Sequence, residues 1–193
     1  EEVGPILGRV LEAQKLLPEI EFIGEGADSI LLEARATKDD WEIEHIREMG
    51  RITTAVVGKT AALLQGSQVN QDEVLLNEEG QPLTIGAVKN QINLWLSESG
   101  VENPEGTIFA IGRDTGVPHS TGKPEDEICL GKTIIFDIFP REAGGGYFFD
   151  FTRTWCLGYA PEAEAQLYQD VKYVSETIMD EIKMDEPAPI YQD

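Results

Sequence analysis

The sequence predicts an α+β fold in which helices alternate with strands of a sheet that contains at least one antiparallel hairpin. Apolar residues recur at three- and four-residue steps in three long stretches, which is the periodicity of an amphipathic helix. The helices expected there span 38–65, 83–99 and 161–183. Short continuous apolar runs between Gly- and Pro-containing segments indicate buried strands. The strands expected there span 107–111, 134–139 and 147–157.

The first part of the chain, 1–36, is expected to be a connector or the tail of an N-terminal domain, because short apolar runs alternate there with Gly and Pro. A helical pattern ends at Pro18, and 20–23 has the composition of a short strand. The main domain is then expected to span 37–193.

Residues at the ends of the three long helical stretches favour these boundaries. Thr37 is a suitable N-cap for the first helix, and Gly66 a suitable end. Gly100 follows the second helix, and Pro161 suits the first turn of the third, which Pro187 and its neighbours would end.

The composition is that of a folded but strongly acidic protein. Of 193 residues, 41% are hydrophobic, and 36 acidic against 15 basic side chains give a formal net charge of −21. Nucleic acids and anionic membranes bind through Lys and Arg, so we expect neither as a partner. No apolar run approaches the length of a membrane span and no signal peptide is visible, which predicts a cytoplasmic protein. Cys129 and Cys156 lie outside any CxxC motif and are expected to be buried free thiols.

Two aspartates in the predicted hairpin are the strongest functional signal. Asp137 and Asp150 stand thirteen positions apart around a Gly-rich turn. Pairing the strands about position 143–144 places them directly opposite each other, with Cβ atoms about 5 Å apart. Alternation along the return strand would put Thr152 and Thr154 on the same face.

Such a pair of carboxylates needs compensation, because at about 5 Å they repel by roughly 3 kcal/mol at an effective dielectric constant of about 20. A divalent cation would remove the repulsion: oxygen ligands suit Mg, Ca or Mn, and an added His brings Zn, Co or Fe into range. Alternatively, Asp150 pairs with Arg153 or Arg141 while Asp137 caps a backbone group. The spacing alone leaves both interpretations open.

The two histidines differ in context. His119 follows a proline in a polar, Gly-containing loop, where an imidazole is a candidate proton carrier near neutral pH. His45 lies on the helix expected over 38–65, where a surface or packing role is the commoner one.

Four segments together resemble the pita-bread metallopeptidases, namely aminopeptidase P, prolidase and creatinase, with methionine aminopeptidase more distant. The segments are TKDDWEIEHIREMGRITTAVV (37–57), GVPHSTG (116–122), FDIFPREAGGGYFFDFTRTWCLG (136–158) and PEAEAQLYQDV (161–171). The block that runs from the first aspartate through the turn to Asp-Phe-Thr-Arg-Thr is the most specific.

The resemblance implies half of a pita-bread (creatinase/aminopeptidase) fold, a curved antiparallel sheet with flanking helices. Asp137 would be a bidentate ligand of one metal ion, and Asp150 would bridge two. His119 would not bind metal but would sit over the substrate and manage a proton. Thr152 would place a hydroxyl near the bridging acid, and Arg153 would tie the hairpin to a neighbour.

The activity implied is that of a metal-dependent exopeptidase of the aminopeptidase P or Xaa-Pro dipeptidase type. A hydroxide bridging two divalent ions (Mn, Co or Zn) would attack an N-terminal peptide bond, often one followed by proline. The partner is thus a peptide substrate.

Two departures from the family matter. The two acids usually stand closer together in sequence, a difference that a longer turn over 142–146 accommodates. The remaining ligands, a histidine and two glutamates, come from the second half of the family's fold. The chain is therefore expected to be an incomplete, inactive fragment that binds metal weakly or not at all and forms homodimers, or otherwise associates, through its uncovered face. The alternatives are a non-catalytic peptide- or protein-binding module of the same fold, and an acidic α+β domain without a site.

Overall fold

The computed structural model describes residues 3–22, 26 and 29–183. They fall into two compact units, 1–43 and 44–193. The first unit contains α1 (Val3–Leu16) and α2 (Ile30–Ala36). The helix expected before Pro18 is confirmed.

The strand expected over 20–23 is not formed in its described part, 20–22, and residue 23 lies outside the described residues. The Gln14 side chain explains this, since it donates to the Ile20 carbonyl at 2.7 Å and accepts from the Phe22 amide at 3.3 Å. Backbone groups that a strand partner would use are bonded to a side chain instead.

The long helix α3 (Asp40–Gly66) begins in the first unit and continues into the second. Its N-terminus is a capping box: Asp39 accepts from the Glu42 amide and Glu42 accepts from the Asp39 amide, each at 2.8 Å. Asp39, not Thr37, is thus the residue that caps the helix. The expected end at Gly66 is confirmed.

The second unit continues with strands and helices that the sequence predicts in part. In chain order these are β1 (Gln68–Val69), β2 (Leu75–Leu76), α4 (Ile85–Glu98), β3 (Val101–Glu102), β4 (Thr107–Ile111), a 3₁₀ helix (Gly112–Gly116), β5 (Thr133–Ile138), β6 (Arg141–Glu142), β7 (Phe151–Cys156) and α5 (Glu162–Glu181). The long helices and the strands β4 and β5 match the expected positions. Thr84 caps α4 through a bond from the Ala87 amide.

The hairpin that carries the two aspartates belongs to a three-stranded antiparallel sheet of order β4-β5-β7, in which β5 is the central strand. Ile134, Phe136 and Ile138 of β5 are buried, whereas the alternate residues, Asp137 among them, are half-buried. The sequence favoured burial on both faces. Only one face of β5 packs on the core, and the other remains partly open.

The core of the second unit lies between that face and helices α3 and α4. Phe136 is at its centre, with ring centroids 5.3 Å from both Phe109 and Trp155. Aliphatic residues complete the core: Met49, Val56, Leu64, Ile85, Val88, Ile92, Leu96, Ile128, Ile134 and Ile138. Cys129 and Cys156 are free thiols, half-buried rather than fully buried as expected.

Helix α5 follows the sheet and buries none of its residues. Its apolar stripe is exposed, as the values for Leu167 (63%), Val171 (61%) and Val174 (53%) demonstrate. No helix among the described residues combines the length and apolar character that a membrane span needs.

Candidate metal centre

The hairpin that carries the two aspartates has a register different from the expected one. Asp137 lies directly opposite Thr152, not Asp150. The turn is centred one residue further along than 143–144, as the bond from the Glu142 amide to the Tyr147 carbonyl (3.2 Å) indicates. When the centre of the turn moves by one residue, the cross-strand partner of each residue changes by two positions. Because side chains alternate with a period of two, the new partner lies on the same face of the sheet as the old one.

The two acids therefore still meet. Asp150 immediately precedes β7, and its carboxyl group lies close enough to that of Asp137 for the negative charge of Asp137 to raise the pKa of Asp150. Thr152 Oγ1 donates to Asp137 Oδ1 at 2.7 Å. The sequence placed this hydroxyl near Asp150; it serves Asp137 instead, because Thr152 is the direct cross-strand neighbour of Asp137.

The electrostatics of the pair favour a bound proton or cation. Partial desolvation, and secondly the negative charge of Asp137, raise the pKa of Asp150. The backbone amide of Phe151 acts in the opposite direction but does not outweigh these two effects. A divalent cation beside the two carboxyl groups would offset this unfavourable charge.

The arginines proposed as alternative partners are engaged elsewhere. Arg141 donates to Glu102 Oε2 from Nε at 3.2 Å and from Nη2 at 3.0 Å. The guanidinium carbon of Arg153 lies 3.8 Å from the centroid of the Phe151 ring, and Nη1 donates to the Thr152 carbonyl at 2.7 Å. In the part of the chain that the structure describes, neither acid forms a salt bridge.

The loop of His119 returns along the free edge of β4. The Phe109 amide donates to the Thr121 carbonyl at 3.4 Å, and Lys89 Nζ donates to the same oxygen at 3.0 Å. His119 is exposed and adopts a left-handed backbone conformation with φ +59°. Within the described ranges, no hydrogen bond or ion pair joins its side chain to either acid.

A second pair of side chains, which the sequence did not predict, lies beside the turn. His45 Nδ1 and Glu142 Oε1 lie within hydrogen-bonding distance of each other. Ninety-seven positions separate them, so no local spacing could link them. The only indication in the sequence was an acidic residue, Glu142, in a Gly-rich turn, where the sequence assigns it no definite partner of opposite charge.

A model of metallopeptidase family M24 matches residues 44–189. The chain belongs to metallopeptidase family M24.

Several solved structures share the fold of this chain. An X-Pro aminopeptidase from Thermotoga maritima MSB8 superposes with a TM-score of 0.63 at 20% identity, over 90% of this chain and 42% of that one. A prolidase from Pyrococcus furiosus gives a TM-score of 0.56 at 21% identity, over 75% and 38%. A dipeptidase from Pyrococcus horikoshii OT3 gives a TM-score of 0.57 at 26% identity, over 80% of this chain and 38% of that one. No curated protein matches the chain.

These comparisons confirm the fold class expected from the sequence, part of a pita-bread fold with an antiparallel sheet and flanking helices. The chain spans between 38% and 42% of the length of these three structures.

The side chains of this M24 chain fit part of a divalent metal site. Two carboxyl groups converge, one carries a raised pKa, and their oxygens are the ligands that hard divalent cations prefer. Among the described residues no cluster of three or more His, Cys, Asp or Glu is placed to hold a metal ion. Asp137 and Asp150 thus offer two carboxyl groups, fewer than such a cluster contains.

Proposed function

We propose that this chain provides two metal ligands, Asp137 and Asp150, to an exopeptidase of the aminopeptidase P or Xaa-Pro dipeptidase type. The single observation that carries the proposal is the proximity of these two carboxyl groups on the β5–β7 hairpin of an M24 chain. The names of the similar structures, which include a prolidase and an X-Pro aminopeptidase, support peptides with proline in the second position as substrates.

The roles proposed for the individual residues follow from their contacts. Asp137 is held by the Thr152 hydroxyl, which orients one oxygen and leaves the other for a metal ion. Among the described residues, Asp150 forms no salt bridge, and it would bridge two ions. Divalent cations bound there would supply Lewis-acid polarisation of the scissile carbonyl and an activated water. Mn, Co and Zn are the candidates.

His119 would exchange a proton at the scissile peptide group. Its side chain is exposed on a loop that Lys89 and β4 hold at Thr121, so it is available to a substrate. A neutral imidazole near pH 7 can accept or give a proton.

Two carboxylates bind a divalent ion weakly, since most catalytic sites use three or more protein ligands. We therefore propose that the chain alone binds metal weakly and does not hydrolyse Xaa-Pro peptides, and that the complete centre needs further ligands.

The test is a thermal melt of the chain with and without millimolar Mn²⁺, Co²⁺ or Zn²⁺. We expect the ions to raise the Tm of the wild-type chain through preferential binding to the folded state. Asp137→Asn and Asp150→Asn should each remove most of the shift. Asp72→Asn is the matched control, because it changes the net charge equally at an exposed position.

A metal-induced shift that survives in both site variants would refute the assignment of the ligands. The absence of any shift in the wild-type chain would favour the alternative, a binding module of the same fold. Cleavage of an Xaa-Pro peptide by the chain alone, lost in Asp150→Asn, would refute the proposed inactivity while supporting the site.

A further inference from the structure

The turn that leads into Asp150 contacts helix α3 at two places. His45 pairs with Glu142 at the start of the turn, and the Phe149 ring packs against Gly50 at its end. Phe149 is the residue immediately before Asp150. The two contacts therefore enclose the segment whose conformation decides where Asp150 lies.

The first contact also closes the turn itself. Glu142 uses Oε1 for His45, while its Oε2 accepts a hydrogen bond from the Tyr147 amide at 3.1 Å. The bond from His45, and secondly that from the Tyr147 amide, lower the pKa of Glu142, so the carboxylate is ionised when it makes them. His45 thus fixes an acceptor that in turn fixes the backbone three residues before Asp150.

The second contact depends on the absence of a side chain at Gly50. A Cβ atom built there would lie 2.8 Å from Cε2 and 3.1 Å from Cδ2 of Phe149. Any side chain at this position would push the ring away. The backbone of Phe149 is tied as well, because its amide donates to the Pro140 carbonyl at 3.1 Å.

We infer that His45 and Gly50 are positioning residues for Asp150: the His45–Glu142 pair and the Gly50–Phe149 contact together hold Asp150 against Asp137. The consequence for metal binding rests on the proposed function, whereas the consequence for the turn does not.

The experiment compares His45→Ala, His45→Gln and Gly50→Ala in the full chain. His45→Gln keeps a side-chain donor for Glu142. The matched control for Gly50→Ala is Gly58→Ala, on the same helix, where a Cβ atom would meet nothing within 4 Å. Two quantities are measured: Mn²⁺ affinity by electron paramagnetic resonance, and hydrogen exchange of the Tyr147, Phe149 and Asp150 amides without metal.

We expect His45→Ala and Gly50→Ala to weaken Mn²⁺ binding by about tenfold, as loss of a group that orients a ligand does. They should speed exchange at Tyr147 or Phe149 by about tenfold, the equivalent of one lost hydrogen bond. His45→Gln should restore most of both, and Gly58→Ala should change neither.

Faster exchange with unchanged Mn²⁺ affinity would overturn the inference, because the contacts would then be structural only. Unchanged exchange in both variants would overturn it as well. If the wild-type chain binds no Mn²⁺, the proposed function fails, and exchange at the three amides alone still decides whether α3 holds Asp150 in place.

Discussion

Thr152 Oγ1 lies 2.7 Å from Asp137 Oδ1, and the two residues are direct partners across the β5–β7 pair. The hydroxyl donates this bond, so one oxygen of Asp137 is held in place. The threonine at this position on the return strand therefore orients the Asp137 carboxyl group rather than packing in the core.

Replacement of Thr152 tests that role. Thr152→Val keeps the shape but removes the donor, and we expect a fall in Mn²⁺ affinity of about tenfold. Because Thr152 is exposed, the free energy of unfolding without metal should change by less than about 0.5 kcal/mol. Thr152→Ser should retain the affinity. Equal Mn²⁺ affinity for the valine and serine variants, measured by paramagnetic resonance, would exclude an orienting role for the hydroxyl.

The raised pKa of Asp150 predicts how the stability of the metal-free chain depends on pH. The folded state holds this proton more tightly than the unfolded state, whose pKa is near the ordinary value of 3.8. The contribution of Asp150 to stability is thus fully present below pH 3.8 and is lost as the pH rises through the higher folded pKa.

Asp150→Asn provides the comparison, because asparagine is neutral at every pH. As the pH rises above 3.8, we expect the free energy of unfolding of the variant to increase relative to that of the wild-type chain. The increase should be less than about 1 kcal/mol, because the Asp150 side chain is largely exposed. Urea denaturation at several pH values measures the difference. Glu102 and Glu142 have lowered pKa values, so their contributions to stability depend on pH in the opposite sense. Both residues are present in both proteins, so their contributions cancel in the comparison. A constant difference across the range would contradict the raised pKa.

The long helices and strands could be predicted from the sequence, whereas two-residue strands and pairings between distant segments could not. The apolar steps of α3 and α4 and the continuous runs of β4 and β5 are sufficient to place them. Strands β1, β2, β3 and β6 have two residues each, too few to form any pattern. Strands β3 and β6 also depend on a partner distant in sequence, since Val101 pairs with Glu142.

The candidate site was predictable in its residues but not in its register. The alternation of side chains placed Asp137, Asp150 and Thr152 on one face. That placement remains correct although the turn lies one residue further along than expected. The position of the turn was not predictable because several glycines allow more than one closure. The observed position of the turn is stabilised by Glu102, whose side chain accepts a hydrogen bond from the Gly144 amide at 3.1 Å. Forty-two positions separate these two residues.

Gly122 sets the course of the loop that carries His119. Its φ is +76°, and a Cβ atom would lie 2.1 Å from the Phe109 carbonyl oxygen. Both the strained backbone and the collision oppose a side chain, so Gly122→Ala should cost at least about 2 kcal/mol of folding free energy. Gly116→Ala, where a Cβ atom would meet nothing within 4 Å, should stay within about 0.5 kcal/mol. Similar melting temperatures for the two variants would show that the loop does not pack on β4.

Phe136 connects the stability of the sheet to the placement of Asp137, its neighbour in β5. It is 1% exposed and its ring contacts Phe109 on one side strand and Trp155 on the other. Phe136→Ala would remove both aromatic contacts and leave a cavity, which should cost about 3–5 kcal/mol. Phe148, which is 45% exposed, offers the control, and Phe148→Ala should cost less than about 1 kcal/mol. Urea denaturation followed by tryptophan fluorescence measures both. Equal costs for the two variants would mean that the three rings do not form the core beneath the acids, and the position of Asp137 would then need another support.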